Sequence, residues 1–570
     1  MRIALLQLNP RLGDPLSNGL AIEAAYTMAV RGGAELVVTP ELAVVGYVAE
    51  DRNWEPGLRS RVATESGRLA ALTGSVPLVF GTFSPAPSGR LFNELRWCEG
   101  GAVRQVIRKR LLPTYDVFEE PRWFEASPEM PKLVEHRGYR IGISICEDLW
   151  ADASLTTGVV RYAIDPIADL AKAGATLLLN ASASPTALGS WGPPGKAIPW
   201  AIPSKERQRK RLITGLAKKH GVPLVYADRV GGDSWLLFDG GSCLVQPDGS
   251  WQGGQRFEEG IVWVDTETTG SSWPPEPCEG AWLREALRMG LWDNLTKQGL
   301  EAVVIGLSGG IDSSVVAALA VEALGPERVL GVALPTRYSS PESLELAKDQ
   351  ASRLGIPFLS LDADSSFASA AAAMNAAFPD RFFSITDENL QSRARAMLLM
   401  ALTSETGVHE QLGTAKVAVL NTGNKSEAAT GYFTLYGDGI GAFAILGDCL
   451  KARVYELAHE LGEAITPGIL SRVPTAELRP GQTDEASLAP YAVLDAILGA
   501  AVEAQRPEEG LMEDLALLLE GAALQQARME LPRILGLLRR TEFKRRQLPF
   551  NLKVSPKAFG QGRRIPLTAI

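Results

Sequence analysis

Cys146 closes the apolar run YRIGISIC and is followed at once by Glu147 and Asp148. A thiol at the end of a strand can act as a nucleophile only if another group takes its proton, because cysteine is mainly protonated at neutral pH. The two adjacent carboxylates oppose that ionisation unless they face elsewhere. Histidine is the usual base, yet His136, His220, His409 and His459 stand in no suggestive motif. A carboxylate and a lysine can substitute. Glu41 closes VVTPEL and Lys109 precedes RLLPTYDVFEE, both at strand-end or loop positions where catalytic groups collect. Cys98 and Cys243 read instead as small buried hydrophobes.

A second string suited to chemistry lies far downstream. Residues 306–314 read GLSGGIDSS after the apolar run AVVI. A glycine-rich loop between strand and helix can point backbone N–H groups at phosphate oxygens, and the helix N-terminus adds positive potential. Ser308, Ser313 and Ser314 add hydroxyl donors. Asp312 would repel a bare phosphate, so its presence points to Mg2+ between carboxylate and phosphates. No Lys follows the glycines, so this is not the GxxxxGK[ST] loop, and it is not the GxGxxG of a redox dinucleotide site.

These sites need a large scaffold. The chain has 570 residues, too many for one hydrophobic core, so at least two domains are expected. A net charge of −9 disfavours a broad nucleic-acid surface. Five scattered cysteines without a CxxC pair argue against a disulfide framework or a cysteine-rich zinc site. No apolar run approaches the ~18 residues of a membrane span, and the opening MRIALLQLNPRLGD lacks a signal peptide's apolar core, so no membrane association and a cytoplasmic location are expected.

In the first half, apolar runs at 3–8, 34–42, 77–83, 139–146, 175–183, 222–230 and 242–249 predict strands, with helices over 17–32 and 203–220. This is a layered α/β domain, whose strands alone leave open one sheet or two. The stretch DTETTGSSWPPEPCEG has no periodicity and reads as a connector. Beyond it, strands at 302–307, 328–334, 357–361 and 415–422 alternate with helices at 311–324 and 341–354. That alternation predicts a doubly wound α/β domain with ligands at the carboxyl ends of its strands, followed by a mainly helical region over about 450–540.

Several separated strings then converge. SGGIDSS resembles the pyrophosphatase-type ATP loop, which alone would also suit GMP synthetase, asparagine synthetase and tRNA-modifying enzymes. LPTRYSS (334–340), ENLQSRAR (388–395), NTGNKSE (421–427), LYGDG (435–439), PTAELRPGQTDE (474–485) and EFKRRQLPFNLKVS (542–555) resemble the NAD synthetase family in the same order. PELAVVGY, RKRLLPTYDVFEE and GISICEDLW resemble the nitrilase family with its Glu–Lys–Cys triad. LLNASASP (178–185) and GGDSWLLFDGGS (231–242) narrow this to the glutaminase branch attached to NAD synthetases.

The resemblance implies a nitrilase-like α-β-β-α sandwich over 1–263, a connector over 264–282 and a pyrophosphatase-loop α/β domain over 283–570. It implies glutamine hydrolysis with Glu41 as base, Cys146 as nucleophile and Lys109 on the oxyanion, supported by Glu120. Tyr115 and Ser184 match glutamine-binding positions. The family often has a Lys six residues after that serine; this chain has Ser190 there, and Lys196 or Lys205 of the same loop stand as candidates to reach the glutamine backbone instead. In the second half Gly306, Leu307, Ser308, Gly309, Gly310, Ile311, Asp312, Ser313, Thr422 and Lys451 match ATP positions. Asn389, Glu427, Asp438 and Lys544 match deamido-NAD positions, and Asp312 and Glu427 match Mg2+ ligands. The implied substrates are ATP, glutamine and deamido-NAD, and the implied assembly is a homo-oligomer. An ATP-dependent amidotransferase for another carboxylate is the rival enzyme; a scaffold built from degenerate domains is disfavoured by the intact Cys146, Lys109, Glu41, Asp312 and Glu427.

Overall fold

A computed structural model of the chain describes residues 1–568 apart from residues 131, 157–160 and 194. The chain divides into two compact units, Met1–Thr186 with Ser204–Glu276, and Ala187–Pro203 with Pro277–Ile570.

In the first unit, twelve strands among the described residues form two six-stranded sheets. One sheet runs, in spatial order, Gly260–Asp265, Arg2–Gln7, Leu36–Val38, Leu78–Pro85, Leu91–Glu99 and Ala102–Arg108. The other runs Trp251–Gly253, Cys243–Val245, Leu224–Asp228, Leu177–Ser182, Tyr139–Ile145 and Val134–His136. Alternate side chains of the two sheets meet in one buried core, among them Ile3, Leu5, Val38 and Val79 from the first and Ile143, Leu179 and Val225 from the second. The opposite face of the first sheet packs under the helices Pro15–Arg31 and Pro56–Ala71 through Leu6, Ile22, Leu58 and Phe80. The opposite face of the second packs under Pro166–Lys172 and Lys205–His220 through Leu170, Leu178, Leu212 and Leu216. The result is four layers, helix–sheet–sheet–helix, which settles the question that the strand pattern left open.

The expected strand at 34–42 is shorter than the apolar run, because Pro40 has no N–H for a ladder. The antiparallel pair Leu91–Glu99 and Ala102–Arg108 escapes the sequence reading, since LFNELRWCE mixes charge into its alternation. That pair matters: it delivers Asn93 and ends one residue before Lys109.

In the second unit, a five-stranded parallel sheet has the order Phe358–Ser360, Val329–Ala333, Ala302–Gly306, Val417–Asn421 and Phe443–Ala444. The chain leaves the central strand Ala302–Gly306 towards one edge and later returns to pair Val417–Asn421 on its other side. Strand order therefore reverses between these two strands, and their carboxyl ends are where such a sheet binds ligands. Helices including Ile311–Leu324 flank the sheet, and a separate apolar cluster forms among Tyr491–Leu498, Leu511–Ala516 and Gly521–Arg540.

The unit boundaries differ from the expected ones in two places. Residues 264–276 remain with the first unit, where Ser271 pairs with Trp251. Ala187–Pro203 belongs to the second unit, because Leu188 N–H donates to Val554, Trp191 N–H to Glu503, and Lys196 to Glu520.

Candidate functional site

The first site begins with a turn. Cys146 follows the strand Tyr139–Ile145 at φ 42°, in the left-handed region that non-glycine residues rarely occupy, and opens a short 3-10 turn ending at Leu149. Asp148 anchors this turn. One carboxylate oxygen accepts from the N–H groups of Arg110 and Leu111, and the other from Ile145. The residues after Lys109 are thereby tied to the turn that carries the thiol. Glu147 accepts from the hydroxyls of Tyr115 and Tyr162. Both carboxylates next to Cys146 are thus held by donors.

Lys109 is fully buried and donates to Glu41 Oε1 and to Glu120 Oε1, each at 2.7 Å. Glu41 also accepts from Asn93 Nδ2 at 2.7 Å and from Ala183 N–H at 2.9 Å, and Glu120 accepts from the Tyr47 hydroxyl. The loop carrying Glu41 needs Gly81 beneath it. A Cβ there would lie 2.4 Å from Leu42 N and Pro40 O, so only glycine lets the two backbones approach.

Electrostatics sort the roles. Burial pulls the Lys109 ammonium down, but Glu120 and Glu41 outweigh it and hold it well above the ordinary lysine value. Burial pushes Glu120 up to about 7, with Lys109 opposing. Burial and then Glu41 push the Cys146 thiol well up, with Lys109 opposing. Burial thus favours the protonated thiol at Cys146.

Ser184 and Ser190 have separate surroundings. Ser184 N–H donates to Asp228, which is buried and also takes Arg209 and the Tyr226 hydroxyl. Ser190 sits in the segment that joins the second unit, where its hydroxyl accepts from Ile202 N–H.

The second site occupies the strand ends where the parallel sheet reverses order. Gly306 ends its strand; Leu307 and Ile311 are buried and fix the loop between them. Gly309 has φ 73°, and a Cβ there would lie 2.4 Å from the Ser343 carbonyl oxygen. Gly310 caps the helix Ile311–Leu324, and its N–H donates to the Ser308 hydroxyl, itself 3.2 Å from that of Ser313. Thr422 follows the neighbouring strand, and Asn424 two residues on donates to Asp312 across 3.1 Å. Lys451 pairs with the other Asp312 oxygen. Desolvation opposes that charge, but Asp312 and Glu427 hold the ammonium above its ordinary value.

Glu427 closes a capping box with Asn424. Desolvation and then the Asp312 charge push its carboxyl well up. A second negative charge beside Asp312 is costly at Glu427, and a divalent cation would offset that cost. Among the described residues no group of three His, Cys, Asp or Glu is assembled for a metal, so phosphate and water oxygens would complete the shell.

Asn389, Asp438 and Lys544 converge on one turn. Thr434 donates its hydroxyl to Asn389 and its N–H to Asp438, which also accepts from Ser392. Lys544 donates to the Gly431 and Phe433 carbonyls.

Sequence reasoning missed the supports. Asn93, Tyr47 and Tyr162 look ordinary in the text, as do Asn424 and the buried Lys425, which reaches Asp448, Glu503 and Ser555 beneath the Glu427 helix. Only the cap spacing N-x-x-E at 424–427 signals one of them.

Two known families match successive stretches of the chain, the first running unbroken through residues 187–203. The family described as Carbon-nitrogen hydrolase matches residues 2–273, and that described as NAD synthase matches 283–548. A glutamine-dependent NAD(+) synthetase from Synechocystis is 38% identical over 99% of this chain and 98% of its own. The chain belongs to the glutamine-dependent NAD(+) synthetase family. A Thermotoga maritima member is 34% identical over 100% of this chain and 98% of its own. The solved structure of an Acinetobacter baumannii member in complex with ADP is 31% identical, covers 99% of this chain and 98% of its own, and superposes with a TM-score of 0.72. As a family member the chain is an ATP-dependent carbon–nitrogen ligase that draws its nitrogen from glutamine.

Proposed function

We propose that this enzyme amidates deamido-NAD to NAD, converting ATP to AMP and pyrophosphate, with ammonia generated from glutamine at Cys146. The observation that supports the reading is the pairing of two complete sites on one chain: Lys109 bonded to Glu41 beside Cys146, and Asp312 held by Asn424 and Lys451 at the sheet's switch point.

In the first site Glu41 takes the thiol proton as Cys146 attacks the side-chain amide carbon of glutamine. Lys109 has three N–H donors and spends two on glutamates, which leaves one for the developing oxyanion. Glu41 returns the proton to the leaving ammonia, then activates the water that releases glutamate from the thioester. Tyr115 and Ser184 border the substrate, with Ser190 at the position where the family carries a lysine.

In the second site the N–H groups and hydroxyls of 308–313, with Thr422 and Lys451, receive the ATP phosphates. Asn389, Asp438, Glu427 and Lys544 receive deamido-NAD, whose carboxylate displaces pyrophosphate to form an acyl-adenylate. Ammonia then displaces AMP. Asp312 and Glu427 would hold Mg2+, which when bound offsets phosphate charge. Ammonia must arrive unprotonated, since ammonium has no lone pair; the family resemblance supports a homo-oligomer as the working form.

A panel of carboxylates assayed for AMP formation with ATP and glutamine tests the substrate. Deamido-NAD should be turned over far faster than any other member. Equal or faster turnover of a different carboxylate would establish the rival amidotransferase reading.

A further inference from the structure

Glu427 and Lys451 both act on Asp312, yet they come from different helices, Lys425–Thr430 and Lys451–Leu461. Neither helix alone fixes the distance between them. A third one touches the start of both.

That helix is Tyr491–Leu498, continued by a wide π turn over Gly499–Glu503. Four of its residues, spaced by four, meet the two helices or the segment before Pro203. The Tyr491 ring lies 5.2 Å from the Lys451 ammonium. Asp495 accepts from the Ser426 hydroxyl at 2.5 Å and from Ala452 N–H at 2.7 Å, and the same hydroxyl accepts from Lys451 N–H at 3.0 Å. Gly499 leaves room for a neighbour, since a Cβ there would lie 2.9 Å from the Trp191 carbonyl oxygen. Glu503 accepts from the Lys425 ammonium at 2.8 Å, from Trp191 N–H at 2.7 Å and, more loosely, from Arg453 at 3.4 Å. A spacing of four drifts about 40° around an α-helix at each step. The π turn counters that drift and keeps Glu503 on the side of Asp495.

The side chains of Lys425, Asp448, Glu503 and Arg453 are all fully buried. Burial pulls the Lys425 ammonium down, but Asp448 and Glu503 outweigh it and hold it above its ordinary value. Buried charges of this kind add little net stability. A lysine opening a helix also works against the dipole, which favours anions there. Placement accounts for the cluster better than stability does. Lys425 stands two residues before Glu427, and Arg453 two residues after Lys451.

We propose that Glu503 is a positioning residue for the ATP chemistry: through Lys425 and Arg453 it sets the separation of Glu427 and Lys451 around Asp312. Glu503 touches no substrate. The inference rests on the adenylation reading of this site.

The test uses two variants of the full chain. Glu503→Gln keeps the shape and an acceptor for Trp191 N–H, while Lys425 keeps Asp448. Ser426→Ala removes only the hydroxyl that joins both helices to Asp495. AMP formation with added ammonium gives kcat, and calorimetry with Mg2+ gives the affinities of ATP and of adenosine, which has no phosphate. In Glu503→Gln, kcat should fall about 10- to 100-fold and ATP should bind about tenfold more weakly, the effect of a misplacement of about 1 Å. Adenosine affinity should not change. Ser426→Ala should show the same pattern at smaller size, and it decides by the same criteria if thermal scans find Glu503→Gln unfolded. In a Glu427→Gln background, adding Glu503→Gln should weaken ATP much less than it does alone, because the two residues act through one group. Unchanged kcat and ATP affinity in the folded variant would overturn the assignment. So would an equal loss for ATP and adenosine, or full additivity with Glu427→Gln. If the unaltered enzyme forms no AMP from ATP and deamido-NAD, the adenylation reading itself fails.

Discussion

Lys109 and Glu41 meet across a 2.7 Å hydrogen bond with neither side chain exposed to solvent. An ion pair in that setting is expensive to assemble and weak evidence for stability, because desolvation offsets much of the attraction. Its worth here is positional. Glu41 is held by Lys109, Asn93 and Ala183, so the carboxylate that the proposed mechanism uses as its base cannot wander.

Gly81 makes that positioning possible, and Gly81→Ala should break it. The added methyl would meet the backbone on either side of Glu41, and neither neighbour is a flexible side chain. A displacement of the base by about 1 Å lowers turnover on the order of 100-fold. Glutamine-dependent NAD formation should fall by about that factor while ammonium-dependent formation persists. Equal rates with both nitrogen sources, both unchanged, would mean that the loop accommodates the methyl.

Asp312→Asn and Glu427→Gln remove charge from the second site at nearly constant shape. Adenylate formation should collapse with either nitrogen source. Pyrophosphate release measured across a Mg2+ titration is the direct readout. Normal turnover with normal Mg2+ dependence in both variants would take these carboxylates out of the site.

Asp495 supplies a pH test. It accepts from the Ser426 hydroxyl and from Ala452 N–H, and burial pushes its carboxyl up to about 7 against those bonds. Between its ordinary value near 3.8 and about 7, the folded chain binds more protons than the unfolded one. Stability from this group therefore falls as pH rises through that window, by up to about 1.4 kcal/mol per unit, and levels off above it. Thermal scans of the unaltered protein and Asp495→Asn from pH 5 to 8 should show the unaltered protein losing ground to the variant until about pH 7. A difference independent of pH would contradict the raised value.

Much of the fold was legible because period-two and helical patterns were strong. The helices at 311–324 and 341–354 stand where the apolar spacing put them. Strands 91–99 and 102–108 were not, since their charged residues face partners such as Arg96 with Glu94 that only the folded sheet supplies. In the candidate site, Cys146 stood out by its place at a strand end before an acidic turn, and Asp312 by its carboxylate within a glycine-rich loop. Asn93 and the anchoring role of Asp148 did not, because each acts through a neighbour distant in sequence: Glu41 and Arg110. The placement of 187–203 with the second unit was hidden for the same reason, its Trp191 being fixed by Glu503.

The most direct measurement is NAD formation by Cys146→Ala with glutamine and, separately, with ammonium, at saturating ATP and deamido-NAD. Removing the proposed nucleophile should abolish the glutamine-dependent reaction and leave the ammonium-dependent rate close to that of the unaltered enzyme, because the ATP chemistry proposed for Asp312 and Lys451 belongs to a different site. Loss of both activities in a protein that still folds, or retention of both, would contradict the assignment of nitrogen release to Cys146.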